Sequence, residues 1–250
     1  MELNVNGGHY LKLNDGTDTI NQSIVPAVHK SLISPDITSY QIDINNQPAT
    51  TRIPSTSILG KYLRDIYKLN PHSFRLFCPD ETNSNKLGAV FDIEKRMLYT
   101  SVPVMSSDDH VSASGRVMEV LSEHLCSGWM ESYNLSGRYG LFASYEAFTM
   151  IVASMVSQHG KWLEECEKIQ WRSAIPSYNI LLTSTCWRND HNGFSHQGPG
   201  FMDVVLTKRG KVSRIYLPVD ANTLLCVAQH CLQSTGYINC IIQVCYTSIQ

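Results

Sequence analysis

The sequence is poor in several features, and each shortage removes a class of function. Its eight cysteines (Cys78, Cys126, Cys166, Cys186, Cys226, Cys231, Cys240 and Cys245) form no CxxC pair and no zinc-ribbon spacing. Most fall in apolar runs, where a thiol behaves as a small buried hydrophobe, so reduced core cysteines are expected rather than disulfides. No apolar run approaches the length that spans a bilayer. The opening MELNVNGGHY lacks the basic start and apolar centre of a signal peptide. A cytoplasmic protein without a membrane partner is expected. With 20 Lys and Arg against 22 Asp and Glu, no basic excess favours nucleic acid. HExxH, GxSxG, Walker A and the dinucleotide glycine fingerprint are all missing, which leaves metalloprotease, serine-triad and nucleotide chemistry without their usual scaffolds.

What remains is a 250-residue chain, 43% hydrophobic and 17% charged, the composition of an ordinary globular protein. Residues 1–56 are polar and broken by Gly7, Gly8, Asn14, Asp15, Gly16, Pro26, Pro35, Pro48 and Pro54. They read as an extended arm or linker with short strands such as 40–44. An α/β domain is expected over 57–250. Ser57 is placed to cap a helix with Leu59, Tyr62, Leu63, Ile66 and Tyr67 on one face. FRLFC (74–78) reads as a buried strand, and a helix is expected from Ser114 or Gly115, facing inward through Val117, Met118, Leu121 and Leu125. A strand ending at Ser144 precedes a long helix that Ser144 is placed to cap. Its stripe of Phe148, Ile151, Val152, Met155, His159, Trp162 and Leu163 makes His159 and Trp162 core residues. Strands follow at 178–184 and 214–219. Asp220 caps a helix carrying Leu224, Leu225, Ala228, Cys231 and Leu232, Gly236 lies past its end, and 238–244 is a last β-rich run. Strands alternating with helices of this length imply a mostly parallel sheet with helices on both faces.

The segment 187–200, WRNDHNGFSHQGPG, is the first candidate site. The strand-like YNILLTS delivers the chain to it, and ligands of open α/β sheets sit beyond the carboxyl ends of the strands. His191 and His196 suit metal ligation, acid–base work or anion binding; metal has the least support, since no cysteine or carboxylate cluster accompanies them. Imidazoles among amide donors suit hydroxylated or phosphorylated substrates. A structured loop with both histidines satisfied by backbone is the competing reading. PDETNSNKL, holding Ser84, Asn85 and Lys86, is either a solvated loop or an anion site of hydroxyl, amide and ammonium donors. Glu123 borders an apolar stripe. It is either a surface carboxylate or a partly buried one able to exchange a proton with a ligand. Tyr145 is expected at the first turn of its helix, beside the carboxyl edge of the sheet.

Three stretches are recognisable: GRVMEVLSEHLCSGWMESYNLSGRYGLFASYEAF, WRNDHNGFSHQGPGF and YLPVDANTLL. They closely resemble the central pyrimidine-binding domain of the phosphoketolases, and FRLFCPDETNSNKL and NGGHYLKL fit as well. The resemblance implies a transketolase-like, thiamine-diphosphate-binding fold. It also implies an aldehyde-lyase that cleaves xylulose 5-phosphate or fructose 6-phosphate with inorganic phosphate, giving acetyl phosphate. Glu123, in LSEH, matches the glutamate that hydrogen-bonds the cofactor's aminopyrimidine and so promotes ylide formation. Tyr145 matches the aromatic residue near the cofactor ring and bound phosphate. Ser84, Lys86, His191 and Asn192 match phosphate-holding positions, Lys86 offering a point charge where the family often has an arginine fork. His196 matches a histidine facing the sugar hydroxyls and the intermediate.

Departures qualify the resemblance. Asn189 stands where the family has glutamine, and Gly198 where it has aspartate; an amide one methylene short is the kind of misplacement that costs ~10²-fold in rate. No GDG-type diphosphate motif is present, so the diphosphate and Mg²⁺ are expected to be held by a domain absent from this chain or by a second subunit of a homodimer. The lone chain is therefore expected to be inactive, and no metal site is expected within it. A non-catalytic interaction or dimerisation module derived from a phosphoketolase is the alternative. A transketolase-like carboligase is a third reading, disfavoured by the DHNGFSHQ loop.

Overall fold

A computed structural model describes residues 2–4, 10–12, 31–43, 52–80, 82–98, 110–169, 173–184, 198–243 and 247–249. In chain order the strands are β1 (Glu2–Asn4), β2 (Tyr10–Lys12), β3 (Arg52–Pro54), β4 (Phe74–Cys78), β5 (Arg96–Met97), β6 (Val111–Ser112), β7 (Val117–Glu119), β8 (Tyr139–Ser144), β9 (Tyr178–Leu182), β10 (Ser213–Tyr216), β11 (Ile238–Ile242) and β12 (Thr247–Ile249). The helices are α1 (Ser55–Leu69), α2 (Glu123–Leu135), α3 (Ala153–Cys166), α4 (Gly200–Leu206) and α5 (Ala221–Gln233). Eight strands form one sheet in the order β10-β11-β9-β8-β4-β7-β5-β6, and every pairing in it is parallel. β1 with β2, and β3 with β12, make separate antiparallel pairs.

Alternate residues of the central strands feed two cores, as expected for a sheet covered on both faces. Leu76, Cys78, Val117, Leu141, Ala143, Leu181 and Ile241 point to one side and pack with α1 and α5. Phe77, Met118, Phe142, Ile180, Leu182, Cys240 and Ile242 point to the other and pack with α2, α3 and α4. Burial holds the thiols of Cys78 and Cys240 well above their ordinary range, so both stay protonated hydrophobes. Register in the middle of the sheet is set by polar pairs as well as by apolar ones. Asn239 on β11 donates to Asn179 Oδ1 on β9 at 2.8 Å, and Asn179 donates to Gly140 O on β8 at 3.3 Å. All three positions are buried.

Two side-chain amides, one just past the end of α1 and one in α5, tie the segment 31–43 to the domain. Asn70 exchanges hydrogen bonds with the backbone of Ile33, and Asn222 does the same with Ile42. The expected strand at 40–44 does not form where it is described. The Asp36 side chain accepts from Thr38 N, and this starts a 3₁₀ turn over Ile37–Tyr40. Residue 44 lies outside the described residues.

Other expectations shift for local reasons. α1 begins at Ser55, and Ser57 Oγ donates to Pro54 O rather than capping the helix. The helix expected from 114–115 does not exist there. Val117–Glu119 is strand, pairing with Leu76–Cys78, and α2 starts at Glu123 behind Ser122, whose hydroxyl accepts from Leu125 N. Leu121 and Leu125, expected to face inward, are exposed. Ser144 ends β8 without capping a helix, and a 3₁₀ turn over Phe148–Val152 precedes α3. Along α3, His159 is buried as expected, whereas Trp162 is 41% exposed. Strand β10 stops at Tyr216, before Pro218, and leaves Leu217 and Val219 exposed. Asp220 caps α5 in a reciprocal capping box with Thr223, as the sequence led us to expect. Gly236 takes φ +79 in the turn before β11.

Gly115 shows why a strand wins at this point: a Cβ there would collide with the backbone carbonyls of Lys95 and Arg96. Gly115→Ala is expected to destabilise the fold by about 1–3 kcal/mol in urea unfolding, because backbone has to move. Ser114→Ala, at an exposed neighbour, should stay within about 0.5 kcal/mol of wild type.

Candidate active site at the carboxyl edge of the sheet

Because the eight strands run the same way, their carboxyl ends share one edge. β4 lies between β7 and β8, and β9 lies beyond β8. The segments leaving these four strands are therefore neighbours. They carry Ser84, Asn85 and Lys86 after β4, Glu123 after β7, Tyr145 and Glu146 after β8, and Thr183 and Ser184 after β9. Asn189, His191, Asn192 and His196 belong to the segment leaving β9 but lie outside the described residues.

Glu123 occupies the first turn of α2, four residues after the end of β7 and at the helix end where an anionic carboxylate is favoured. It is half-buried and makes no hydrogen bond or ion pair among the described residues. Behind it, Cys126 is buried and its thiol is pushed up to about 12. Burial is the largest cause, a hydrogen bond to Val120 O opposes it, and the Glu123 charge adds to it. A thiol held neutral in this way is structural rather than nucleophilic. Tyr145 is 3% exposed, and its ring meets Phe148 edge-on with centroids 6.3 Å apart.

The loop after β4 is fastened from three sides. Glu119, at the end of β7, accepts from Thr82 N at 2.8 Å and pairs with Arg96 Nε at 2.6 Å. The Arg96 guanidinium in turn lies over the Phe91 ring at 4.1 Å. Asn85 is fully buried, donating to Cys78 Sγ at 3.3 Å and accepting from Thr183 Oγ1 at 2.5 Å. Thr183 N also donates to Ser144 O at 3.1 Å, so one residue ties the ends of β8 and β9 to the β4 loop. Backbone bonds from Lys86 N to Asn83 O and from Leu87 N to Thr82 O close the turn. Lys86 takes φ +59, a left-handed conformation unusual for a lysine, and its side chain is exposed. Backbone strain of this kind tends to collect at binding sites.

Glu146 completes the edge. It is fully buried directly after Tyr145, and its Oε2 accepts from Gly198 N at 3.3 Å. Gly198 and Pro199 lead into α4, a helix absent from the sequence reading. The supporting roles of Glu119 and Glu146 were also missed. Glu119 was assigned to a helix, and Glu146 differs from a surface carboxylate in sequence only by its place beside Tyr145. Among the described residues no group of three or more His, Cys, Asp or Glu side chains is arranged to hold a metal ion, and no helix is long and apolar enough to cross a membrane.

The D-xylulose 5-phosphate/D-fructose 6-phosphate phosphoketolase family model matches residues 57–234. The chain belongs to this family. It is 51% identical over 216 residues to a probable phosphoketolase of Synechocystis, a match covering 86% of this chain and 27% of that one. It is 54% identical over 197 residues to a probable phosphoketolase of Pseudomonas putida, covering 78% and 25%. This phosphoketolase-family chain thus spans about a quarter of the length of the curated relatives it matches, 27% in the Synechocystis case. Its fold is similar to that of a Pichia stipitis transketolase variant in complex with xylulose 5-phosphate, with TM-score 0.60 and 15% identity over 87% of this chain and 29% of that one. A Leishmania mexicana transketolase aligns with TM-score 0.55 and 12% identity, covering 86% and 28%. At such identities the likeness is one of fold.

Thr183→Val replaces the hydroxyl that joins three strand ends with a methyl group of similar size. Loss of the donor to buried Asn85 is expected to cost about 1–2 kcal/mol in chemical unfolding. A variant as stable as wild type would mean that the β4 loop is held without it.

Proposed function

We propose that this chain is the pyrimidine-binding domain of a phosphoketolase. The complete enzyme cleaves xylulose 5-phosphate or fructose 6-phosphate with inorganic phosphate to acetyl phosphate, an aldose phosphate and water. The family match over residues 57–234 carries this reading. The positions quoted for it in the sequence also belong to segments that leave neighbouring parallel strands.

The residues present fit thiamine diphosphate in one testable respect. Glu123 is a half-buried carboxylate at this edge whose side chain is not engaged by any described residue. Bound thiamine diphosphate supplies a carbon nucleophile and an electron sink for breaking a carbon–carbon bond. Glu123 and Tyr145 would hold the cofactor's aminopyrimidine ring, Glu123 by sharing a proton with it. Ser84, Lys86, His191 and Asn192 hold phosphate oxygens through hydroxyl, ammonium, imidazole and amide donors. His196 moves a proton at the sugar hydroxyls. Asn189, one methylene shorter than glutamine, reaches less far toward the reacting carbon. The diphosphate and its Mg²⁺ are held by a part of the enzyme outside these 250 residues, and the lone chain turns over no substrate. The acting enzyme is cytoplasmic.

A chimera tests the reading: this chain replaces the matching segment of the Synechocystis phosphoketolase, and acetyl phosphate is assayed with thiamine diphosphate and Mg²⁺. Turnover is expected in the chimera and not in the lone chain. Glu123→Ala should lower kcat by roughly 10²–10⁴-fold, the range for loss of a general acid–base group. Chimera turnover indifferent to Glu123 would sink the proposal, and turnover by the lone chain would remove its inactivity clause.

One observation favours a second reading, an interaction module that pairs with a copy of itself. Leu125 and Trp129, 49% and 38% exposed, lie one turn apart on α2, and Leu121, 86% exposed, stands just before the helix. Trp129 lines a groove of about 390 Å³ together with Arg75, Met97, Met118 and Tyr133. An exposed apolar stripe of this kind marks an association surface. A two-fold axis across α2 would pair each stripe with its own copy. Sedimentation at micromolar concentration is expected to give a dimer that Leu125→Glu dissociates; a monomeric wild-type chain would exclude this reading.

A further inference from the structure

The segment between β9 and α4 carries four of the residues on which the proposed function rests, yet its two ends are fastened differently. Its near end is held by neutral groups, since Thr183 bonds Ser144 O and Asn85. The far end is held by a carboxylate. Glu146 is fully buried, and its Oε2 accepts from Gly198 N. The backbone there lies close to the turn after β8: a Cβ on Gly198 would meet Ala147 Cα at 3.4 Å, and one on Gly200 would meet Met150 Sδ at 3.3 Å.

A carboxylate in the core needs polar partners, and the Gly198 amide is one of them. Removing an ionised group from water costs several kcal/mol unless hydrogen bonds or charges compensate, and an apolar side chain at 146 would fill the same space without that cost. The negative charge is felt within the core as well. It adds to burial in pushing up the thiol of Cys240 on β11. The hydrogen bond from Gly198 N to this carboxylate fixes the backbone at the entry to α4.

We propose that Glu146 is a positioning residue: its buried carboxylate fixes Gly198, where the chain enters α4, against the turn that carries Tyr145. Glu146 touches no reacting atom in this proposal. It acts through Gly198 N–H, which sets where the chain enters α4. Only the loop's relevance to catalysis depends on the phosphoketolase reading; the anchoring does not.

Amide hydrogen exchange on the 250-residue chain separates the two. In Glu146→Ala the Gly198 amide is expected to exchange on the order of tenfold or more faster than in wild type, the size expected for losing a hydrogen bond to a charged group. Strand amides of Ile180 and Leu182 should keep wild-type rates. Glu146→Gln retains an acceptor at the same reach and should restore most of the Gly198 protection, which a purely space-filling role would not require. Unchanged Gly198 exchange in Glu146→Ala would overturn the proposal. So would equal acceleration at Gly198 and in β9, which would indicate general loosening, or a Gln variant as fast as the Ala variant. Titration of inorganic phosphate into the same proteins reports on the function separately: anchoring lost with phosphate affinity unchanged leaves Glu146 as the loop's anchor and counts against the phosphate roles of His191 and Asn192.

Discussion

Strand polarity is the constraint from which the rest of this molecule follows. Eight strands running in one direction bring their carboxyl ends, and the segments that follow them, to one edge. Apolar side chains on both faces make that arrangement stable by burying the sheet between two cores. Polar side chains cannot enter either core cheaply, so the chain places them where the strands stop. The candidate site is built from what the strands release at their ends.

What distinguishes this edge is that second-rank residues hold the first-rank ones. Glu119 and Asn85 bear no proposed contact with substrate, but they fix the loop on which Ser84 and Lys86 ride. Thr183 joins three strand ends through one hydroxyl and one amide. Such networks are high-stakes, because each member is costly once its partner is lost. A site supported in this way has its geometry before a ligand arrives, which is the condition for strong discrimination in binding and catalysis.

Much of the fold was legible in the sequence, and the misses have physical causes. FRLFC, YNILL and the capped helix after Asp220 were readable because apolar period, length and capping residue agree in each. The stretch around Val117 was misread because Val117, Met118, Leu121 and Leu125 fit a helical period. In the folded chain the first two belong to a buried strand and the last two to an exposed stripe. Periodicity cannot separate a short buried strand followed by a sticky surface from one amphipathic helix. Trp162 was misjudged for a related reason: an aromatic on the right face of a helix is buried only where the neighbouring layer extends far enough to cover it. At the candidate site, motif resemblance pointed to Glu123, Tyr145 and the β4 loop. Glu119 and Glu146 were not, since nothing in one sequence distinguishes a carboxylate that accepts from a backbone amide from one that faces water.

The side-chain amides of Asn179 and Asn239 carry a consequence for how the chain finds this arrangement. Sliding β11 past β9 by a single position would break the 2.8 Å bond between these two buried amides, a loss that an all-aliphatic pair would not feel. The amide clasp thus acts as a vernier for the middle of the molecule, ruling out near-miss alignments that greasy side chains alone would accept. Every loop height at the rim is inherited from that alignment.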